Sequence, residues 1–116
     1  MKNEKLYNMV FLKIYDAYIN KAERKGRTKE EVNEIIYWLL GYNDQTLEKA
    51  LNENLTVKSF FNDAPSLNIN AKNIKGVICG VRVVDIEDPL MQRIRYLDKL
   101  IDELAKGKSI DKILSR

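Results

Sequence analysis

Arg82 and Cys79 are the residues whose type and setting point most directly to chemistry. Arg82 lies between Val81 and Val83 in an apolar run, where a guanidinium stays charged and needs a partner. It could hold a carboxylate or phosphate of a ligand. Alternatively, it could pair with Asp85, Glu87, Asp98 or Asp102 of its own chain, or lie at a strand edge with its head group in water. We expect one of these structural roles, because semi-buried arginines are commonly paired in this way.

Cys79 is the only cysteine, and the chain contains no histidine. A nucleophilic thiol needs a base or a lowered pKa, so we expect Cys79 to be a buried, inert thiol. The missing histidine also removes the commonest zinc ligand and the base of serine and cysteine triads. We therefore predict no catalytic residue, no metal and no cofactor, and favour a non-catalytic protein. An anion or small-molecule site near Arg82 and Cys79 is kept as an alternative.

A basic cluster lies around Gly26, at a predicted turn between two helices. Its members are Lys21, Arg24, Lys25, Arg27 and Lys29. Such residues could contact nucleic-acid phosphates, or they could interact with a helix C-terminus and keep the surface solvated. The net charge of only +3 and the carboxylates of Glu30 and Glu31 favour the second interpretation.

Two apolar groups are candidates for a protein interface. Trp38 and Tyr42 lie at the end of a predicted helix, with Trp38 roughly opposite its inward face. The other group follows the steps 4, 3, 4, 3 of a heptad seam and consists of Leu90, Ile94, Leu97, Ile101 and Leu104. Either group could pack in the core or join two protomers.

These residues must be positioned by a predominantly helical chain, because only five glycines and two prolines interrupt 116 residues. The apolar spacing predicts a first helix from about Lys5 to Lys25. Its inward stripe has Val10, Ile14 and Ala17 or Tyr18 at helical spacing and is widened by Phe11, Tyr15 and Ala22. Thr28 and Glu31 form a capping box for a second helix that ends at Gly41. Further helices are predicted to begin at the N-caps Asp44, Thr56, Asp88 (followed by Pro89) and Ser109.

One segment is not helical in pattern. Residues 77–86, VICGVRVVDI, are rich in β-branched side chains and predict a strand that needs a partner. The partner could be residues 67–71, where Leu67 and Ile69 suggest a short strand, or a second protomer. The fold class is thus mainly α, a compact bundle of about five to six helices with one short β segment near residues 77–86. An α+β protein with a small antiparallel sheet is the alternative, and residues 1–116 form one domain.

Five sequence blocks carry a resemblance to a known family. They are KAERKGRTKEE (21–31), WLLGY (38–42), FFNDAP (60–65), GVICGVRV (76–83) and IEDPLMQRIRYLDKLIDELAKGKSIDKIL (86–114). Together they resemble the bacterial domain-of-unknown-function family 2200, from about Tyr15 to Leu114. The resemblance implies a small stand-alone bacterial protein and implies no activity.

The biochemical function expected from the sequence is therefore a binding function rather than a reaction. We expect a small cytoplasmic protein that acts by self-association, as a homo-oligomer, or by binding another protein. Weak nucleic-acid binding through residues 21–29 is the alternative. Lys13 and Asp16 interrupt the apolar residues of the N-terminal region, which therefore contains no long apolar run. We expect neither a signal peptide nor membrane association.

Overall fold

The computed structural model describes residues 3–116 and is mainly helical, as predicted. Its α-helices are α1 (Glu4–Asn8), α2 (Phe11–Arg24), α3 (Lys29–Leu40), α4 (Asp44–Asn52), α5 (Val57–Asn62), α6 (Pro89–Ala105) and α7 (Ile110–Ile113). Between α5 and α6 lie the strands β1 (Val77–Ile78) and β2 (Val81–Arg82), with 3-10 turns at Ile69–Asn73 and Val83–Asp85.

One hydrophobic core joins the helices, and α6 lies at its centre in contact with α2, α3, α5 and α7. Aromatic rings fill the side of the core near α5. Phe60 stacks on Phe11 with ring centroids 3.7 Å apart and on Tyr42 at 4.4 Å, while Phe61 meets Phe60 edge-on. Such pairs contribute about 0.5–1.5 kcal/mol each beyond the area they bury. They fix α5 against α2.

Side-chain caps begin most of the helices where the sequence predicts them. Thr28 and Glu31 form the capping box of α3, and the side chains of Thr56, Asp88 and Ser109 cap α5, α6 and α7. The cap predicted at Asp44 is wrong by one residue. Asn43 caps α4 instead, because its side chain accepts from the Thr46 backbone while Thr46 Oγ1 accepts from the Asn43 backbone.

The first predicted helix is interrupted. Met9 and Val10 have extended backbone conformations. This short segment forms two backbone hydrogen bonds with residues around the start of α5: Phe11 N–H donates to Leu55 O, and Val57 N–H donates to Met9 O at 2.7 Å. Four members of the predicted inward stripe, Phe11, Tyr15, Tyr18 and Ala22, are buried. Val10 and Ile14 are only half-buried and Ala17 is exposed, so the buried face is narrower than predicted.

Residues 77–86 do not form one strand. The chain folds back on itself as a hairpin, in which Val77 faces Arg82 and Ile78 faces Val81. Cys79 and Gly80 form the turn with φ of +55° and +78°, the pattern of a type I′ turn. The strand therefore pairs within the segment itself. Residues 67–71 form no strand, because Asn68 caps a 3-10 turn that begins at Ile69.

Candidate functional site

An open groove of about 550 Å³ lies between the 3-10 turn at Ile69–Asn73 and the first half of α6. We call it the α6 groove. Its walls combine apolar and polar side chains, and the lining residues are Leu67, Asn68, Ile69, Ala71, Lys72, Pro89, Gln92, Arg93 and Tyr96. The groove is the place where two segments far apart in sequence leave apolar surface uncovered.

The first wall is fastened to the C-terminal end of α3. Ser66 N–H donates to Leu40 O and Asn68 N–H to Leu39 O, while the Asn68 amide donates to Trp38 O at 3.1 Å. These bonds satisfy carbonyl groups that the end of a helix leaves free. Gly41 permits the close approach, since its φ is +80° and a Cβ there would lie 2.9 Å from Ser66 N.

The second wall is one face of α6. Pro89, Gln92, Arg93 and Tyr96 follow each other at helical spacing, and the Asp88 cap with Pro89 sets where the helix begins. Gln92 Nε2 donates to Val83 O and so joins this wall to the end of the hairpin. Both walls are thus held in place by hydrogen bonds to residues that do not line the groove.

The groove carries two cations, one on each wall. Lys72 lies on the 3-10 turn and Arg93 on α6, and neither forms an ion pair with any residue in the range 3–116. The wider segment has the same character. Residues 64–84 contain Lys72, Lys75 and Arg82 and no Asp or Glu. A ligand in the groove therefore meets positive charge only.

Tyr96 is a buried aromatic residue of the groove. Only 7% of its surface is exposed, and its hydroxyl, which makes no hydrogen bond within residues 3–116, remains accessible to solvent. The other five tyrosines donate to Asp88, Asn33, Asp98, Asp44 and the carbonyl of Phe60. Burial raises the pKa of Tyr96, so the hydroxyl keeps its proton at neutral pH and can donate it in a hydrogen bond.

The same segment holds exposed apolar side chains. Within residues 3–116, the exposed large hydrophobic residues all lie between positions 67 and 84: Leu67, Ile69, Val77, Val81 and Val84. Ile69 is 79% exposed and lines the groove. Scattered exposed hydrophobics are normal, whereas here the described ones are concentrated in one segment of the chain.

Arg82 does not lie in an apolar site. Its side chain is 68% exposed on the hairpin, and its Nη1 lies 3.7 Å from Asp85 Oδ2. Arg82 thus combines the two structural roles expected for it, because it pairs with Asp85 and its head group reaches water from a short strand. An exposed pair at this distance contributes little stability.

The expectation that Cys79 is buried is also wrong, because the thiol is exposed at the hairpin turn. Arg95 Nη1 lies 3.6 Å from the Sγ atom of Cys79 and 2.9 Å from Asp98 Oδ2, with which Arg95 forms an ion pair. Asp98 also accepts a hydrogen bond from the Tyr18 hydroxyl. Burial and the Asp98 carboxylate raise the pKa of Tyr18 well above its usual value. Cys79 and Arg82 thus occupy the turn and the second strand of one hairpin, but their interactions are with Arg95 and Asp85.

The basic cluster around Gly26 is partly used inside the fold. Arg27 pairs with Glu31 at 2.7 Å and donates to the carbonyls of Leu104 and Lys108 at the end of α6. Lys21 pairs with Asp102 at 3.4 Å. The remaining members, Arg24, Lys25 and Lys29, are exposed.

The predicted interface residues lie mostly inside the chain. Ile94, Leu97, Ile101 and Leu104 are buried in the core, so the seam of α6 packs against the helices of its own chain. Leu90 and Trp38 are half-buried against the same core, and Tyr42 is buried with its hydroxyl on Phe60 O. These side chains therefore offer little surface to a second protomer.

Sequence reasoning did not identify the groove residues. The pattern of Leu67 and Ile69 suggests a short strand, and no local pattern indicates a role for Lys72, Arg93 or Tyr96. A signal did exist, because residues 64–84 combine apolar side chains with basic residues and lack acidic ones. The proximity of Lys72 to Arg93 depends on tertiary packing and has no local pattern.

The fold and the groove define a small, mainly α-helical protein with one β-hairpin and an open, basic, partly apolar groove. The chain belongs to the family described as "Uncharacterized protein conserved in bacteria (DUF2200)", which it matches over residues 5–115. The crystal structure of the uncharacterized protein SP1917 is similar, with 47% identity and a TM-score of 0.91 over 96% of this chain and 91% of that one. No functionally curated protein matches the chain.

Two further properties of the described residues bear on function. None of the helices within residues 3–116 has the length and apolar character needed to cross a bilayer. In the same range, no three acidic or cysteine side chains are grouped closely enough to hold a metal ion.

Proposed function

We propose that this protein is a non-catalytic binding protein that holds an acidic, partly apolar segment of another protein in the α6 groove. The observation that carries the proposal is the combination found between residues 64 and 84: exposed aliphatic side chains, three cations and no carboxylate. Aliphatic side chains supply area that water leaves on binding, and the cations select a partner of opposite charge.

The same charge distribution argues against a second copy as the occupant. In a two-fold dimer each surface meets itself, so grooves placed face to face would bring Lys72 and Arg93 close to their own counterparts. Like charges across an interface without counterions are unfavourable. The predicted seam on α6 also argues against this occupant, because Ile94, Leu97, Ile101 and Leu104 are buried in the core of the chain and only Leu90 is half-buried.

We further propose that the protein works in the cytoplasm. Cys79 is a free thiol exposed at a turn, and such a thiol persists best in a reducing compartment. No bilayer-spanning helix in the described range opposes this placement.

Selection from a library of random peptides tests the binding function. The full chain is immobilised as wild type, as Ile69→Asp and as Ala17→Asp. Ile69 is almost fully exposed in the groove, and Ala17 is an exposed position on α2, so neither change disturbs the core. Wild type and Ala17→Asp should enrich peptides that combine aliphatic and acidic residues, and Ile69→Asp should lower their affinity by about tenfold.

Two outcomes would overturn the proposal. One is a library with no enrichment above blank beads, or with equal enrichment on Ile69→Asp. The other comes from light scattering coupled to size exclusion at high protein concentration. We expect a monomer, and a dimer that dissociates in Ile69→Asp would assign the groove to a second copy of this chain.

A further inference from the structure

We infer that the α6 groove recognises one side-chain carboxylate of its partner segment, held between the cations Lys72 and Arg93 and the hydroxyl of Tyr96. This inference rests on the proposed binding function and names the chemical group that the groove reads. Its independent support is the free hydroxyl of a tyrosine that is otherwise buried.

The Tyr96 hydroxyl carries the argument because every other tyrosine hydroxyl has a protein acceptor. Tyr96 packs in the wall of the groove, and its hydroxyl makes no hydrogen bond to any residue in the range 3–116. The ring is buried but the oxygen is not closed off from solvent, so a ligand in the groove can reach it. Since the hydroxyl keeps its proton, the matching ligand group is an acceptor.

The two cations decide which acceptor fits. Arg93 lies on the same face of α6 as Tyr96, and Lys72 lies across the groove on the 3-10 turn. A neutral carbonyl would leave two unpaired cations beside it, whereas a carboxylate accepts charge-assisted hydrogen bonds from both. The aliphatic side chains of Leu67 and Ile69 then cover the residues next to that carboxylate.

The geometry also favours a side chain over a chain terminus. The groove is open, and its cations lie on opposite walls, so a segment can run between the walls and continue beyond them. A Glu or Asp within such a segment presents its carboxylate sideways to both walls. An apolar residue on either side completes the match.

Two peptides that differ in one charge test the inference. The probes are acetyl-Leu-Glu-Leu-amide, whose only charge is the glutamate carboxylate, and acetyl-Leu-Gln-Leu-amide. Each is titrated into the isotopically labelled full chain and followed by amide chemical shifts. We expect shifts at residues 67–72 and 92–96, with the glutamate peptide binding about tenfold more tightly than the glutamine peptide.

The variant Tyr96→Phe isolates the hydroxyl. Because the hydroxyl forms no hydrogen bond with residues 3–116, a purely structural role predicts unchanged folding and unchanged binding. We expect unchanged folding, judged by thermal unfolding, and an affinity loss of about fivefold for the glutamate peptide. Arg93→Gln should also reduce the preference for glutamate, whereas Arg24→Gln, which removes the same charge from an exposed site on α2, should preserve it.

Equal binding of the two peptides, no binding of either, or full binding by Tyr96→Phe would overturn the carboxylate assignment. The library selection separates this failure from that of the proposed function. Selected peptides that keep their affinity when their acidic residues become amides would leave peptide binding in the groove standing, but would remove the carboxylate and the preference for acidic partners. Glutamate-dependent chemical shifts in the groove without any enriched peptide would support the carboxylate assignment and overturn the proposed binding function.

Discussion

At the residue scale, two buried tyrosine hydroxyls donate to acceptors of different charge. Tyr18 donates to the carboxylate of Asp98, and Tyr15 donates to the neutral amide oxygen of Asn33 at 2.6 Å. Both tyrosines are buried on the same helix, so they form a matched pair. A difference in unfolding free energy between their phenylalanine variants would therefore report the charge of the acceptor.

We predict that Tyr18→Phe destabilises the protein more than Tyr15→Phe. Hydrogen bonds to charged groups contribute about 1.5–3 kcal/mol, against about 1 kcal/mol for neutral ones. Asp98 keeps its pair with Arg95 in the variant, so the loss should fall at the lower end of that range. Urea unfolding measures both variants, and equal losses would show that the acceptor's charge is unimportant here.

Arg27 illustrates how a residue that resembles a phosphate ligand in sequence can have an internal role. Its guanidinium joins the start of α3, through Glu31, to the last carbonyls around the end of α6. The pKa of Glu31 is lowered, chiefly by the hydrogen bond from Arg27. The planar fork of arginine allows this simultaneous contact with two elements.

We therefore expect Arg27→Gln to cost about 1–3 kcal/mol of unfolding free energy, since several charge-assisted bonds are lost together. Arg24→Gln serves as the control. Arg24 is exposed and its one hydrogen bond goes to Asn20 O of its own helix, so its loss should be near zero. A large loss in Arg24→Gln, or none in Arg27→Gln, would contradict the assignment.

At the element scale, the hairpin turn combines a favourable and an unfavourable residue. Gly80 accepts its positive φ freely, but Cys79 adopts φ of +55° with a Cβ present. Asparagine is the preferred residue at such a position of a type I′ turn. The hairpin has only two residues in each strand, so the turn is a large part of its stability.

Cys79→Asn should therefore stabilise the hairpin by about 0.5–1 kcal/mol, and Cys79→Val should destabilise it because a β-branched side chain opposes positive φ. Cys79→Ser removes the contact of the thiol with Arg95 without changing the backbone preference greatly. Hydrogen exchange of the hairpin amides measures all three variants. If Asn and Ser behaved alike, backbone strain would not be the controlling factor.

The elements also show which parts of the fold a sequence can predict. The caps Thr28, Thr56, Asp88 and Ser109 are confirmed because capping depends on residues within one turn of each other. The interruption at Met9 and Val10 was missed because it depends on pairing with residues 55–57, almost fifty positions away. The hairpin was missed for another reason, since Cys-Gly is not a usual turn pair.

In the candidate site, too, the sequence predicts what depends on neighbouring residues and misses what depends on distant ones. The α6 wall could be placed from sequence, because Asp88 and Pro89 define the start of the helix. The opposite wall could not, because Asn68 and Ser66 are held by carbonyls at the end of α3. Lys72 and Arg93 therefore share a groove for reasons that appear only when the chain is folded.

At the scale of the whole molecule, the six tyrosines link stability to alkaline pH. The pKa of each is raised, and burial is the first cause in every case. The pKa of Tyr42, which donates to Phe60 O inside the aromatic stack, is raised to about 12. In the unfolded chain these hydroxyls ionise near the ordinary value of about 10.

We predict that the protein keeps this contribution to stability below pH 10 and loses it progressively above. In that range the unfolded chain releases tyrosine protons that the folded protein retains, so rising pH favours unfolding. Tyrosinate absorbance should lag behind that of free tyrosine and then rise cooperatively with loss of helix. In Tyr42→Phe the fall of stability between pH 10 and 12 should be shallower than in wild type. A gradual titration of all six tyrosines near pH 10 in a protein that remains helical would show that the aromatic core admits solvent, and would contradict the packing of Tyr42 on Phe60.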